Sequence, residues 1–146
     1  MDGGGDLRRL GFVLAVRVGR PADLPYRGGT VRSSIRKEPV DGPVTLRKTN
    51  LDGDAQADLS VHGGPDKAVY LYSAADYEWW RAELGRDLPD GIFGENLTVD
   101  GEWIADVTIG DRFAVGGAVV QATEPREPCF KLGAVMEDQA FLKRFR

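Results

Sequence analysis

Two side chains stand out as candidates for chemistry near neutral pH: the single cysteine, Cys129, and the single histidine, His62. Cys129 lies in the stretch Glu-Pro-Arg-Glu-Pro-Cys-Phe-Lys-Leu, residues 124–132. Pro125 and Pro128 fix φ on either side of Arg126 and Glu127. They also push Glu124 and Glu127 toward extended backbone. A stiff extended or turn segment therefore carries the thiol. Arg126 and Lys131 bring positive charge close along the chain, which favours the thiolate, the form that acts as nucleophile and metal ligand. Glu124 and Glu127 oppose that effect. The simpler alternative is a small buried apolar group, common for free cysteines.

His62 opens the run His-Gly-Gly-Pro-Asp-Lys, residues 62–67. Gly63 and Gly64 allow backbone to approach a ligand closely or to take positive φ. On spacing alone, a turn with a partly exposed histidine explains them as well. The nearby Asp52, Asp54 and Asp58 suggest a calcium loop, but Gly53 comes too early and no glutamate closes the twelfth position. Calcium is excluded on that spacing.

The elements that must position these residues are mostly strands. The 146 residues fit one domain. Nineteen glycines and eight prolines mark many turns and favour a mainly β fold. Residues 10–18 form a first apolar strand, and residues 19–29, rich in Gly and Pro, a loop. Strands are expected over 31–37, 44–46, 68–72, 97–99, 107–109, 112–115 and 118–123. Ser73 is a good N-cap and Gly85 a natural C-terminal stop, so the spacing predicts a helix over 74–84. Lys131–Met136 begins a second helix, and Phe141, Leu142 and Phe145 need a packing partner in this chain or another copy. Residues 1–9 read as a frayed start.

A net charge of −4 and a pI near 5.0 give no general basic field for nucleic acid. No apolar run is long enough to span a bilayer. One cysteine excludes an internal disulfide, and no signal peptide is visible, so a reducing, cytoplasmic setting is expected.

In order and spacing, these residues resemble the MOSC domain, the family named for the C-terminal domain of molybdenum-cofactor sulfurases, in its small free-standing, YiiM-like branch. The resemblance rests on Leu51-Asp-Gly-Asp54, Gln56-Ala-Asp58, Val61-His-Gly-Gly-Pro-Asp-Lys67 and Tyr77 with Trp79 and Trp80. It continues through Phe93-Gly-Glu-Asn-Leu97, Ile109-Gly-Asp111, Pro125-Arg126, Pro128-Cys129 and Lys131-Leu132. It covers roughly residues 10–136. It implies a closed, strongly bent, strand-rich β-barrel with a few helices. It implies that Cys129 takes the place of the family's cysteine, which ligates the molybdenum of a pterin cofactor or carries sulfur. Free-standing members are associated with reducing N-hydroxylated small molecules, using electrons from a redox partner protein. The family usually continues through another turn and strand, so for a chain stopping at Arg146 the resemblance implies either a shortened domain or a barrel that closes differently.

The residue chemistry agrees with that assignment. Molybdenum accepts a soft thiolate. Gly63, Gly64, Lys67 and Arg126 can hold a cofactor phosphate through backbone N–H groups and cations. Asn96, both donor and acceptor, suits a pterin edge or a substrate. Glu95 or His62 can move protons during N–O reduction. Three other readings stand beside it: a sulfur carrier forming a persulfide on Cys129, a thiol hydrolase pairing Cys129 with His62, and a binding module without activity. A homodimer is compatible with the apolar C-terminal residues.

Overall fold

The structure is a computed structural model and describes residues 8–56 and 63–145. The longest strand, β1 (Val13–Val18), lies inside a four-stranded sheet of order β4-β1-β6-β5. Its neighbours are β4 (Glu38–Pro39) and β6 (Leu97–Val99), both antiparallel to it, with Val16 opposite Leu97. β5 (Leu71–Ser73) runs parallel to β6. Two hairpins complete the strands: β2 (Ala22–Tyr26) with β3 (Gly29–Ser33), and β7 (Arg112–Val115) with β8 (Ala118–Gln121).

The sheet does not close, which corrects the barrel expected from the family resemblance. Closure requires every edge strand to find a partner. One edge, β4, is two residues long and includes Pro39, which has no N–H to offer. The other edge, β5, ends at Ser73, whose side chain already caps a helix. The two hairpins pair only within themselves. Among the described residues, the fold is thus a set of mixed, open sheets with two α-helices.

Helix α1 (Ala74–Leu84) has the expected ends. Ser73 Oγ accepts from Ala75 N at 3.1 Å, and left-handed Gly85 donates its N–H to Arg81 O at 3.0 Å. Tyr77 and Trp80, one turn apart, point into the larger core with Leu24, Leu88, Phe93, Leu132 and Met136. Helix α2 (Phe130–Met136) supplies Leu132 and Met136. The C-terminal aromatic residues find their partner in this chain: Phe141 is buried and sits 4.9 Å from the Trp80 ring, and Phe145 stacks on Tyr72 at 5.8 Å. A second core of Leu51, Leu97 and Val99 lies against β1.

Some local expectations shift. The segment expected as a loop over 19–29 contains β2, which turns into β3 through Arg27 and Gly28, both at positive φ. Pro25 is tolerated because this hairpin has free edges. Residues 44–46 form no strand, only a bridge between Leu46 and Leu51. Residues 107–109 run into a turn rather than a strand.

Candidate active-site cleft

Cys129 is the residue before α2, at φ −124° and ψ 169°, and its carbonyl accepts the Leu132 N–H at 2.9 Å. Its side chain makes no capping bond and is half-buried. The preceding residues, 122–128, have no regular structure, as the two prolines dictate. They follow β8, which delivers them to a cleft of about 1370 Å³ lined by Cys129, Arg126, Lys67, Gly63, Asn96 and Tyr70, among others.

The turn holding Gly63 and Gly64 is joined to this segment. Both glycines have positive φ, at 92° and 82°. Pro65–Lys67 forms a short 3-10 turn, closed by Lys67 N to Gly64 O at 3.1 Å. Thr123 Oγ1 donates to Asp66 O at 2.5 Å, and Lys67 Nζ lies 3.4 Å from Glu124. Two segments distant in sequence therefore form one rim. His62 lies outside the described residues.

Arg126 is placed over the face of Tyr70, its guanidinium carbon 5.1 Å from the ring centroid. The Arg126 Nε and the Tyr70 hydroxyl are both buried, and among the described residues neither has a hydrogen-bond partner. Burial pushes the Tyr70 hydroxyl well above its ordinary range, against the pull of the Arg126 charge, so it stays protonated at neutral pH. Sequence reasoning missed Tyr70. A usable signal was its alternation with Tyr72 in the run Val69–Tyr72, which puts the two rings on one side of an extended segment.

Asn96 lines the cleft with its side chain fully engaged. Its Oδ1 accepts Tyr70 N at 3.0 Å, and its Nδ2 donates to Arg17 O at 3.1 Å and Asp54 Oδ2 at 3.0 Å. The other Asp54 oxygen accepts Lys37 Nζ at 2.7 Å and Gly19 N at 2.9 Å. A buried chain of polar contacts, Lys37–Asp54–Asn96, thus holds the backbone of Tyr70 in place. Lys37 was not singled out from sequence, because nothing local marks it as buried.

Glu95 is not on the cleft wall. It is fully buried, accepting Tyr77 OH at 2.6 Å, Thr98 Oγ1 at 2.7 Å and Gly91 N at 3.2 Å, with Arg17 at 3.8 Å. Arg17 also donates to Thr98 Oγ1. Gly64 does not line the cleft either, and a Cβ there would meet no atom within 4 Å. Among the described residues, no three His, Cys, Asp or Glu side chains cluster to hold a metal ion by themselves.

Fold and cleft together place a half-buried thiol in a cleft on an open mixed-sheet scaffold. The chain belongs to the MOSC domain family, whose model matches residues 58–146. It is 48% identical over 120 residues to the uncharacterized protein YflK of Bacillus subtilis, covering 82% of this chain and 54% of YflK. It is 42% identical over 103 residues to the protein YiiM of Escherichia coli, covering 68% of this chain and 46% of YiiM. A protein named reductase from Gibberella moniliformis is 41% identical over 138 residues, covering 92% of this chain and 24% of that protein. The chain thus spans about half the length of the two bacterial relatives. Among solved structures, it is similar to YiiM from Geobacillus stearothermophilus, with a TM-score of 0.70 and 31% identity over 92% of this chain and 60% of that one. Among the described residues, no helix is long and apolar enough to cross a membrane.

Proposed function

We propose that this chain binds the molybdenum cofactor in the Cys129 cleft and takes part in reducing N-hydroxylated small molecules, with electrons from a redox partner protein. One observation carries the reading: a half-buried thiol shares a cleft with two buried polar groups, on Arg126 and Tyr70, that have no partner among the described residues. Buried polar atoms are rarely left unpaired, so such a pair supports a ligand that completes them. The MOSC family and the relative named reductase point the same way.

The residues present fit such a group. Cys129 offers a soft sulfur ligand for molybdenum. Arg126 offers charge and an N–H to an anionic portion of the cofactor. Gly63, at positive φ on the rim, leaves its backbone without a side chain to block approach. When bound, the cofactor supplies a two-electron redox centre. Conversion of an N-hydroxyl group to an amine consumes two electrons and two protons and releases water. The polar chain Lys37–Asp54–Asn96 positions the cleft wall against these events. We assign the activity to a reducing, cytoplasmic setting, in which an unpaired thiol persists.

The test is elemental analysis of protein expressed in a host that makes the cofactor. Stoichiometric molybdenum, lost in Cys129→Ser, is the expected result. Sulfane sulfur on Cys129 without metal would replace this reading with persulfide transfer.

A further inference from the structure

We propose that Tyr70 and Arg126 together form an oxyanion-binding subsite in the wall of the cleft, taking a phosphoryl or carboxylate group. Three side-chain polar atoms are buried without a partner among the described residues: Asn50 Oδ1, the Tyr70 hydroxyl and Arg126 Nε. The last two belong to side chains stacked on each other, and both residues line the same cleft. Arg126 Nε–H can only donate, and a phenol held in its neutral form donates as well. Two unpaired donors on stacked side chains call for an acceptor, and the guanidinium makes a negative one the better match. No carboxylate of the described residues forms an ion pair with Arg126: Glu124 pairs with Lys67 instead.

The geometry is built rather than incidental. Tyr70 cannot drift, because its N–H is held by Asn96 Oδ1 and its carbonyl accepts from Asn96 N at 2.8 Å and Leu97 N at 3.1 Å. Pro125 and Pro128 restrict the backbone that carries Arg126. Ligand donors fixed by surrounding packing lose little entropy on binding. The anion has two chemical sources, the phosphate of the bound cofactor or an anionic group on the substrate. The assignment of either source rests on the function proposed above; the subsite itself rests on the two unpaired donors.

Inorganic phosphate is the probe, titrated calorimetrically into the full chain without cofactor, at ionic strength held constant with chloride. Saturable binding is expected. Tyr70→Phe should weaken it about tenfold, the scale of one hydrogen bond to a charged group, and Arg126→Gln should abolish it. Arg112→Gln, an equal charge change on exposed β7, should leave it unaltered. Near-UV circular dichroism checks that each variant is folded. Absent saturation in the parent protein, or parental affinity in folded Tyr70→Phe, overturns the proposal. If it holds, molybdenum content of the loaded protein separates the sources. Loss in Tyr70→Phe assigns the subsite to the cofactor, and parental content assigns it to an anionic substrate. A parent protein that binds phosphate but never acquires molybdenum would sink the cofactor reading and leave the subsite standing.

Discussion

Two tyrosines on adjoining elements live under opposite rules. Tyr77, inside the core, donates to Glu95 and accepts from Gly91 N at 3.1 Å and Phe93 N at 3.0 Å. Tyr70, on the cleft wall, is equally cut off from water at its hydroxyl and has no partner among the described residues. Among the described residues, no buried side-chain polar atom around Glu95 is left without a partner. The Arg126 region is complete only with something added. Satisfied buried polar groups hold a fold together, whereas an unsatisfied one requires a further explanation, which at Arg126 and Tyr70 is the proposed anion.

Breaking the complete region should cost most. Glu95→Ala leaves Arg17, Tyr77 and Thr98 without their common acceptor, and urea denaturation should register a loss of about 3–5 kcal/mol, as for a broken buried ion pair. A loss below about 1 kcal/mol would show that water or rearrangement replaces the carboxylate.

The sharpest comparison uses one substitution twice. Tyr77→Phe strips a donor from a buried carboxylate and an acceptor from two backbone N–H groups, so it should cost about 2–3 kcal/mol. Tyr70→Phe removes only an unpaired hydroxyl and should change stability by no more than about 0.5 kcal/mol, in either direction. Equal losses in the two variants would erase the distinction between the regions.

At Cys129 the expected effect on stability is smaller still than at Tyr77. Cys129→Ser should stay within about 1 kcal/mol of the parent, because the thiol is half-buried and caps nothing. Iodoacetamide should alkylate Cys129 in the folded, cofactor-free protein, and bound cofactor should protect it. Reaction only after denaturation would make the thiol core packing and return the cleft to a structural role.

The smallest effect concerns Asp76, on the cleft side of the first turn of α1. Burial raises its carboxyl above the ordinary range. Protonated Asp76 is therefore favoured by folding, and that contribution is present at low pH and lost as pH rises through the folded value. Asp76→Asn should flatten the stability profile just above the usual carboxylate range. A profile unchanged by the substitution would assign that slope to other groups.

The sequence alone determined what depends on short-range physics. Ser73 and Gly85 bounded α1 because a cap side chain and a left-handed glycine act within one turn. The glycine pair at 116–117 joined β7 to β8, and the apolar run before Arg17 made β1. Motif order from Leu51 to Leu132 carried the family. Glu95 reads from sequence as a proton carrier beside Asn96, and nothing local marks Arg17, within the apolar run, as a buried partner for it. Only the tertiary structure decided the roles, because each depends on which distant segment arrives beside it. Arg17 meets Thr98 and Glu95, Asn96 meets Asp54, and Arg126 settles on Tyr70. The open sheet was decided the same way. Closure is a property of which edges meet, and a two-residue strand ending at Pro39 and another running straight into a helix cap meet nothing further.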